Sequence, residues 1–170
     1  MEAIHAENEI EWINSYLQHN GLIDREQVQC ITSFSLLWNL FEGHYCNQRA
    51  SIRAFEAIVM RIAEKGILSL NDFNQHIIYF KSRYVTGEQL NSLFHGLCFR
   101  PNDRKELVEN ILLGKNNDIK DIILSLIIIV YRLRNNLFHG IKSLYEINGQ
   151  VDNFNNANGI LMKVIELARR

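Results

Sequence analysis

The sequence predicts an all-α chain, a helical bundle around one central apolar helix with additional short helices. Three observations carry that prediction. Pro101 is the one proline, so long stretches lack a strong helix breaker. Apolar residues recur three and four apart over most of the chain, as one buried helical face requires. The stretch Leu126-Ile127-Ile128-Ile129-Val130 is apolar on every side, which suits an element covered all round.

The elements follow in order. Ile10, Ile13, Tyr16 and Leu17 mark a first helix over about 5–19, ended by Asn20-Gly21; it reads as an addition to the core. A second helix begins near Asp24 and carries Ile31, Phe34, Leu37, Trp38 and Phe41 on one face. The chain is expected to bend over 43–47. A third helix covers 51–65, with Ile52, Phe55, Ile58, Val59 and Ile62 inward and Gly66 as its stop. Ser69 with Asp72, Thr86 with Gln89, and Asp103 with Glu106 have the spacing of helix N-terminal caps. They predict short helices starting near Leu70, Gly87 and Arg104, the last ending at Gly114.

Asn117-Asp118 opens the most apolar helix, from Ile119 towards Tyr145. Taken alone, its isoleucine run also fits a buried strand. The flanks decide for a helix: Asp118 and Asp121 sit in a first turn, and Leu133, Leu137, Ile141 and Leu144 keep the helical period. The asparagine-rich stretch from Asn148 to Gly159 reads as a polar loop, and a last helix follows through Leu161, Val164, Ile165 and Leu167. No internal repeat or linker divides the 170 residues, so one domain is expected.

Composition narrows the function. A net charge of −1 and a pI of about 6.6 exclude a protein that coats nucleic acid by bulk charge. Any meeting with RNA must be local. Cys30, Cys46 and Cys98 form neither a disulfide framework nor a C-x-x-C pair. The N-terminus carries Glu2, Glu7 and Glu9 rather than a basic-then-apolar leader. The longest apolar stretch, Ile122 to Tyr131, falls short of the ~20 residues that span a bilayer. A soluble, cytoplasmic protein without membrane partners is expected.

The segment with chemical promise is Arg132-Leu133-Arg134-Asn135-Asn136-Leu137-Phe138-His139-Gly140. It resembles the R-x4-H signature of the HEPN superfamily (higher eukaryote and prokaryote nucleotide-binding), many of whose members are RNases. Asn135 matches the polar residue that follows the family's arginine. Leu137 and Phe138 match the apolar residues before its histidine, and Gly140 the glycine after it. Leu37-Trp38-Asn39-Leu40-Phe41-Glu42 resembles the tryptophan-then-acid pattern of some HEPN helices. A bare R-x4-H is a weak signal; the helical context and the adjoining apolar helix strengthen it.

The resemblance implies a HEPN-like fold and metal-independent cleavage of RNA through 2′-hydroxyl attack, in a toxin or phage-defence setting. Arg134, His139 and Asn135 would be catalytic, and Arg132, Asn136 and Glu42 would touch substrate. No cofactor or metal is implied. The residue types suit the chemistry. A histidine can give or take a proton near neutrality, and a guanidinium stabilises charge developing on phosphate oxygens. Family sites commonly form where two motifs face each other, so a homodimer with a composite site is expected, with an antitoxin or other protein as a further partner.

Geometry sets a condition. At ~100° per residue, Arg134 and His139 lie about 140° apart on a straight helix, whereas Asn135 and Arg132 align with His139. Either the helix bends at Asn135-Asn136 or a second subunit supplies the missing group. Simpler readings stand beside this one. His139 also fits a helix-end histidine near a C-terminal dipole, Arg134 a surface charge or the partner of a carboxylate, Trp38 a core residue, and Glu42 a helix-surface acid. Some HEPN toxins carry a tyrosine two residues after the histidine, where this chain has Ile141, with Tyr145 one turn on. Control by nucleotide attachment there is therefore not expected. Glu42, His44 and Cys46 alternate by two and cannot share a metal on a helix; His95 and Cys98 alone do not make a site.

Two other function classes remain: a non-catalytic HEPN module binding RNA, nucleotide or a protein partner, and a structural helical dimer.

Overall fold

The computed structural model describes residues 6–17, 24–138 and 149–170. Its helices are α1 (Ala6–Leu17), α2 (Arg25–Tyr45), α3 (Ile52–Glu64), α4 (Asn74–Tyr84), α5 (Ser92–His95), α6 (Lys105–Leu112), α7 (Ile119–Phe138) and α8 (Val151–Arg169), with a 3-10 turn at Leu70–Asp72. Two short strands, β1 (Val85–Thr86) and β2 (Gln89–Leu90), pair antiparallel. The fold is therefore essentially all-helical.

The all-apolar stretch predicts the centre correctly. Every residue of α7 from Ile122 to Val130 is buried. Helices α3, α4, α6 and α8 pack against it, and α2 lies along α8. The buried apolar residues from Cys30 to Ala168 form one connected core. Among the described residues no helix is long and apolar enough to cross a membrane. None of the described side chains of α1 is buried. Its Trp12 and Tyr16 stack at 5.5 Å while standing 66% and 73% exposed, so they contribute little to the core.

Two N-termini form as expected. Gln27 N donates to Asp24 Oδ1 at 2.8 Å and Asp24 N donates to Gln27 Oε1 at 3.0 Å. That reciprocal box starts α2 and is worth ~1 kcal/mol. Ser51 caps α3 through Ala54 N.

The bend expected over 43–47 falls at the end of that range: helix α2 passes through Gly43 and His44, and the chain turns after Tyr45, where Asn47 and Gln48 take positive φ. Three expectations are corrected. No helix starts at Gly87. Gly87 and Glu88 both have positive φ, at 55° and 63°, forming the two-residue loop of a hairpin. The Thr86–Gln89 spacing that resembles a cap is the pair closing that hairpin; Asn91 instead caps α5. Asp103 does not cap α6, because its Oδ2 accepts from Arg100 N at 2.8 Å and faces Arg132.

The asparagine-rich stretch is helix, not loop, over 151–159. Its side chains are spent on tertiary bonds that outweigh weak helix propensity. Tyr79 Oη donates to Asn153 Oδ1 at 2.8 Å, Asn156 Oδ1 meets His76 Nδ1 at 2.8 Å, and Asn158 Nδ2 donates to Cys30 O at 3.1 Å. Gly159 sits where a Cβ would fall 2.5 Å from the His76 ring, so only glycine admits the buried histidine.

Candidate functional site: the end of α7 against α2

Helix α7 continues as helix through Asn135 and Asn136 to Phe138. His139, with Gly140, Ile141 and Tyr145, lies outside the described residues. The site is built from what precedes it.

Positions 132 and 136 are one turn apart and share a face. Arg132 is 2% exposed. Its Nε donates to Leu97 O at 3.0 Å and its Nη2 to Cys98 O at 2.6 Å. Its Nη1 lies 3.0 Å from Asp103 Oδ2, a charge contact without good hydrogen-bond alignment. Asn136, 1% exposed, donates from Nδ2 to Gly96 O at 2.9 Å. Together the two residues tie α7 to the carbonyls that follow α5. Arg132 and Asn136, expected to touch substrate, are buried, with donors turned inward to the Gly96, Leu97 and Cys98 carbonyls. The physical reason is the cost of burying a guanidinium, which is met only by a carboxylate and several acceptors at once.

Arg134 lies about 200° around the helix from Arg132, and its surroundings differ. Trp38 and Glu42 are one turn apart on α2. Trp38 Nε1 donates to Glu42 Oε2 at 2.9 Å, and Ala50 N donates to Glu42 Oε1 at 3.1 Å. Glu42 is thereby fixed in place, with Oε2 3.9 Å from Arg134 Nη2. The Arg134 guanidinium sits 5.9 Å from the centre of the Trp38 ring and 5.4 Å from that of Phe138. Each such contact is worth ~0.5–1 kcal/mol at a partly exposed site.

Trp38 itself is core, at 3% exposure, and stacks on Tyr131 at 5.9 Å. Tyr131 is thus a part of this wall that the motif does not reveal. Its only sequence signal is its place one helical turn before Asn135.

The Arg134 side chain is 30% exposed. Nη1 donates to Asn135 Oδ1 at 3.3 Å, while Nε has no partner among the described residues. A guanidinium has five donors, so most of the fork remains unspent. Asn135 is 3% exposed, and its Nδ2 is also unpaired among the described residues. The structure therefore brings Arg134, Asn135, Trp38 and Glu42 together, and places Arg132 and Asn136 on another face.

The Cys46 thiol, beside the end of α2, is pushed up to about 12 by burial and then by the charge of Glu42. It is a packing residue without nucleophilic character. Among the described residues, no group of three or more His, Cys, Asp or Glu side chains is arranged to hold a metal ion.

No protein-family model matches this chain, and neither a curated protein nor a solved structure does.

Proposed function

We propose that this protein is a metal-independent endoribonuclease of HEPN type, acting in a toxin or phage-defence system. One observation carries the reading. Two stretches singled out separately in the sequence, Leu37 to Glu42 and Arg134 to His139, are about a hundred residues apart in the chain. In the fold, Trp38 and Glu42 of the first hold Arg134 of the second. A guanidinium set near two aromatic rings, with unspent donors and partial exposure, is suited to receive a phosphate.

In the proposed reaction, an RNA 2′-oxygen attacks the adjacent phosphorus as its proton passes to a base. The bond from phosphorus to the 5′-oxygen breaks, and a proton is delivered to that oxygen. The products are a 2′,3′-cyclic phosphate and a 5′-hydroxyl, with no net redox change. His139 is assigned one proton transfer, Arg134 the charge developing on the non-bridging oxygens, and Asn135 the orientation of the Arg134 fork. Because five helical residues separate Arg134 from His139 by about 140°, a histidine from a second copy facing Arg134 across a two-fold axis meets the angular condition.

The test is cleavage of single-stranded RNA in EDTA, with products analysed for a cyclic phosphate end. Wild type cuts; Arg134→Ala and His139→Ala each lose most activity while melting near wild type. Loss of wild-type activity in EDTA, or unchanged cutting by both variants, overturns the reading. A second reading draws on the Glu42–Arg134 approach, which partly neutralises the cation: a non-catalytic module that binds RNA or a protein partner. It is favoured if wild type binds RNA without cutting it and Arg134→Ala weakens that binding.

A further inference from the structure

A groove of about 520 Å³ runs beside the Arg134 cluster, between the start of α3 and the Arg100–Asp103 turn. That size is ordinary for a ligand site. Its rim carries Arg49, Arg53 and Arg100, all exposed. None of the three has a carboxylate within 4.0 Å among the described residues, unlike Arg104, Arg132 and Arg134. Asp103 also lines the groove, but its carboxylate is buried and committed to Arg132 and to Arg100 N. The chain as a whole carries a charge of −1. Three guanidiniums on one groove without a carboxylate partner among the described residues are therefore a local feature that overall composition hides.

The groove and the Arg134 cluster share a wall. Tyr131 lines the groove and stacks on the Trp38 ring that carries Arg134. Ala50 lines it too, and its amide holds Glu42.

We infer that the groove formed by Arg49, Arg53 and Arg100 binds the phosphate backbone of single-stranded RNA flanking the bond placed at Arg134. The inference rests on the nuclease reading for the register of the strand, but not for binding itself. Guanidiniums contacting phosphates give affinity without base preference and a steep salt dependence. The three arginines are positioning residues: they hold the strand and leave the chemistry to the Arg134 cluster.

The test uses the full-length protein and a fluorescein-labelled single-stranded RNA of about 10 nucleotides, 2′-O-methylated throughout so that it cannot be cut. Anisotropy is measured over roughly 50 to 300 mM salt. The triple variant Arg49→Gln, Arg53→Gln, Arg100→Gln is compared with a charge-matched control, Lys81→Gln, Lys115→Gln, Arg169→Gln. Each phosphate contact on a single strand contributes ~0.7 to the slope of log affinity against log salt. The groove variant is therefore expected to lose about 2 units of slope and on the order of 10²-fold in affinity at low salt, while the control keeps both. On a cleavable RNA, its KM rises and kcat holds. The single variants repeat the measurement in smaller steps, so misfolding of the triple variant does not decide it.

Equal slope and affinity in groove variant and wild type overturn the inference, and the nuclease reading stands if wild type still cuts. Wild type that binds no RNA at any salt overturns both. Wild type that binds RNA through the groove but never cuts it upholds the groove and ends the nuclease reading.

Discussion

Arg132 and Arg134 sit two residues apart on one helix and share a side chain, yet they live in opposite environments. Arg132 is sealed inside, with Asp103 and the Leu97 and Cys98 carbonyls taking its donors. Arg134 rests on Trp38 and Phe138, faces Glu42 at the edge of ion-pair range, and keeps donors in reserve. The difference teaches that the motif's arginines divide their labour by helix face. One fastens the end of α7 to the turn after α5; the other is presented.

The sharpest way to break this comparison is Arg132→Ala. It strands the buried Asp103 carboxylate and removes the donors to the Leu97 and Cys98 carbonyls, so it should cost about 3–5 kcal/mol in urea unfolding. A loss below about 1 kcal/mol would mean that Arg132 is not structural. Next comes Arg134→Ala. Its stability cost should stay near 1 kcal/mol, the worth of partly exposed ring contacts and a long ion pair. RNA cleavage should nevertheless fall on the order of 10²-fold or more. If unfolding and cleavage change together, the assigned division of labour is wrong.

Arg134→Lys sharpens the point, because it keeps the charge and removes the fork. About 10-fold loss of cleavage with unchanged stability is expected; full activity would show that a point charge suffices. Glu42→Gln should cost about 1 kcal/mol, since one of its two accepted hydrogen bonds is lost. It should also raise RNA affinity a few-fold by freeing Arg134 of the facing charge. A fall in affinity at constant fold would instead make Glu42 a direct substrate contact. The smallest effect is read with a thiol reagent near pH 8. Cys98, exposed, should label alone in wild type and in Arg134→Ala. Cys46 stays protected by burial and its raised pKa of about 12. Labelling of Cys30 and Cys46 in Arg132→Ala would report loss of the fold rather than of the site.

Much of the local structure was legible. Asp24 with Gln27 and Ser51 with Ala54 mark real helix starts, because a cap is satisfied within its own few residues. The same spacing misled at Thr86–Gln89, where Gly87 and Glu88 adopt a left-handed loop, and at Asp103–Glu106, where Asp103 answers to a distant arginine. The asparagines of α8 misled for a related reason. Their partners, Tyr79, His76 and the Cys30 carbonyl, are far away in sequence. The groove arginines 49, 53 and 100 went unnoticed because a net charge near zero says nothing of where charges gather.

By itself the amino-acid order determined that the chain is helical, that 122–130 lies at its centre, and that Arg134 lies on the same helix. Those properties follow from periodicity and local hydrogen bonding, which operate within a few residues. Only the tertiary structure decided which arginine is buried, that Trp38 and Glu42 receive the other, and which polar residues are spent on the fold. A guanidinium takes its role from the acceptors and rings brought to it, and elements far apart in sequence supply those.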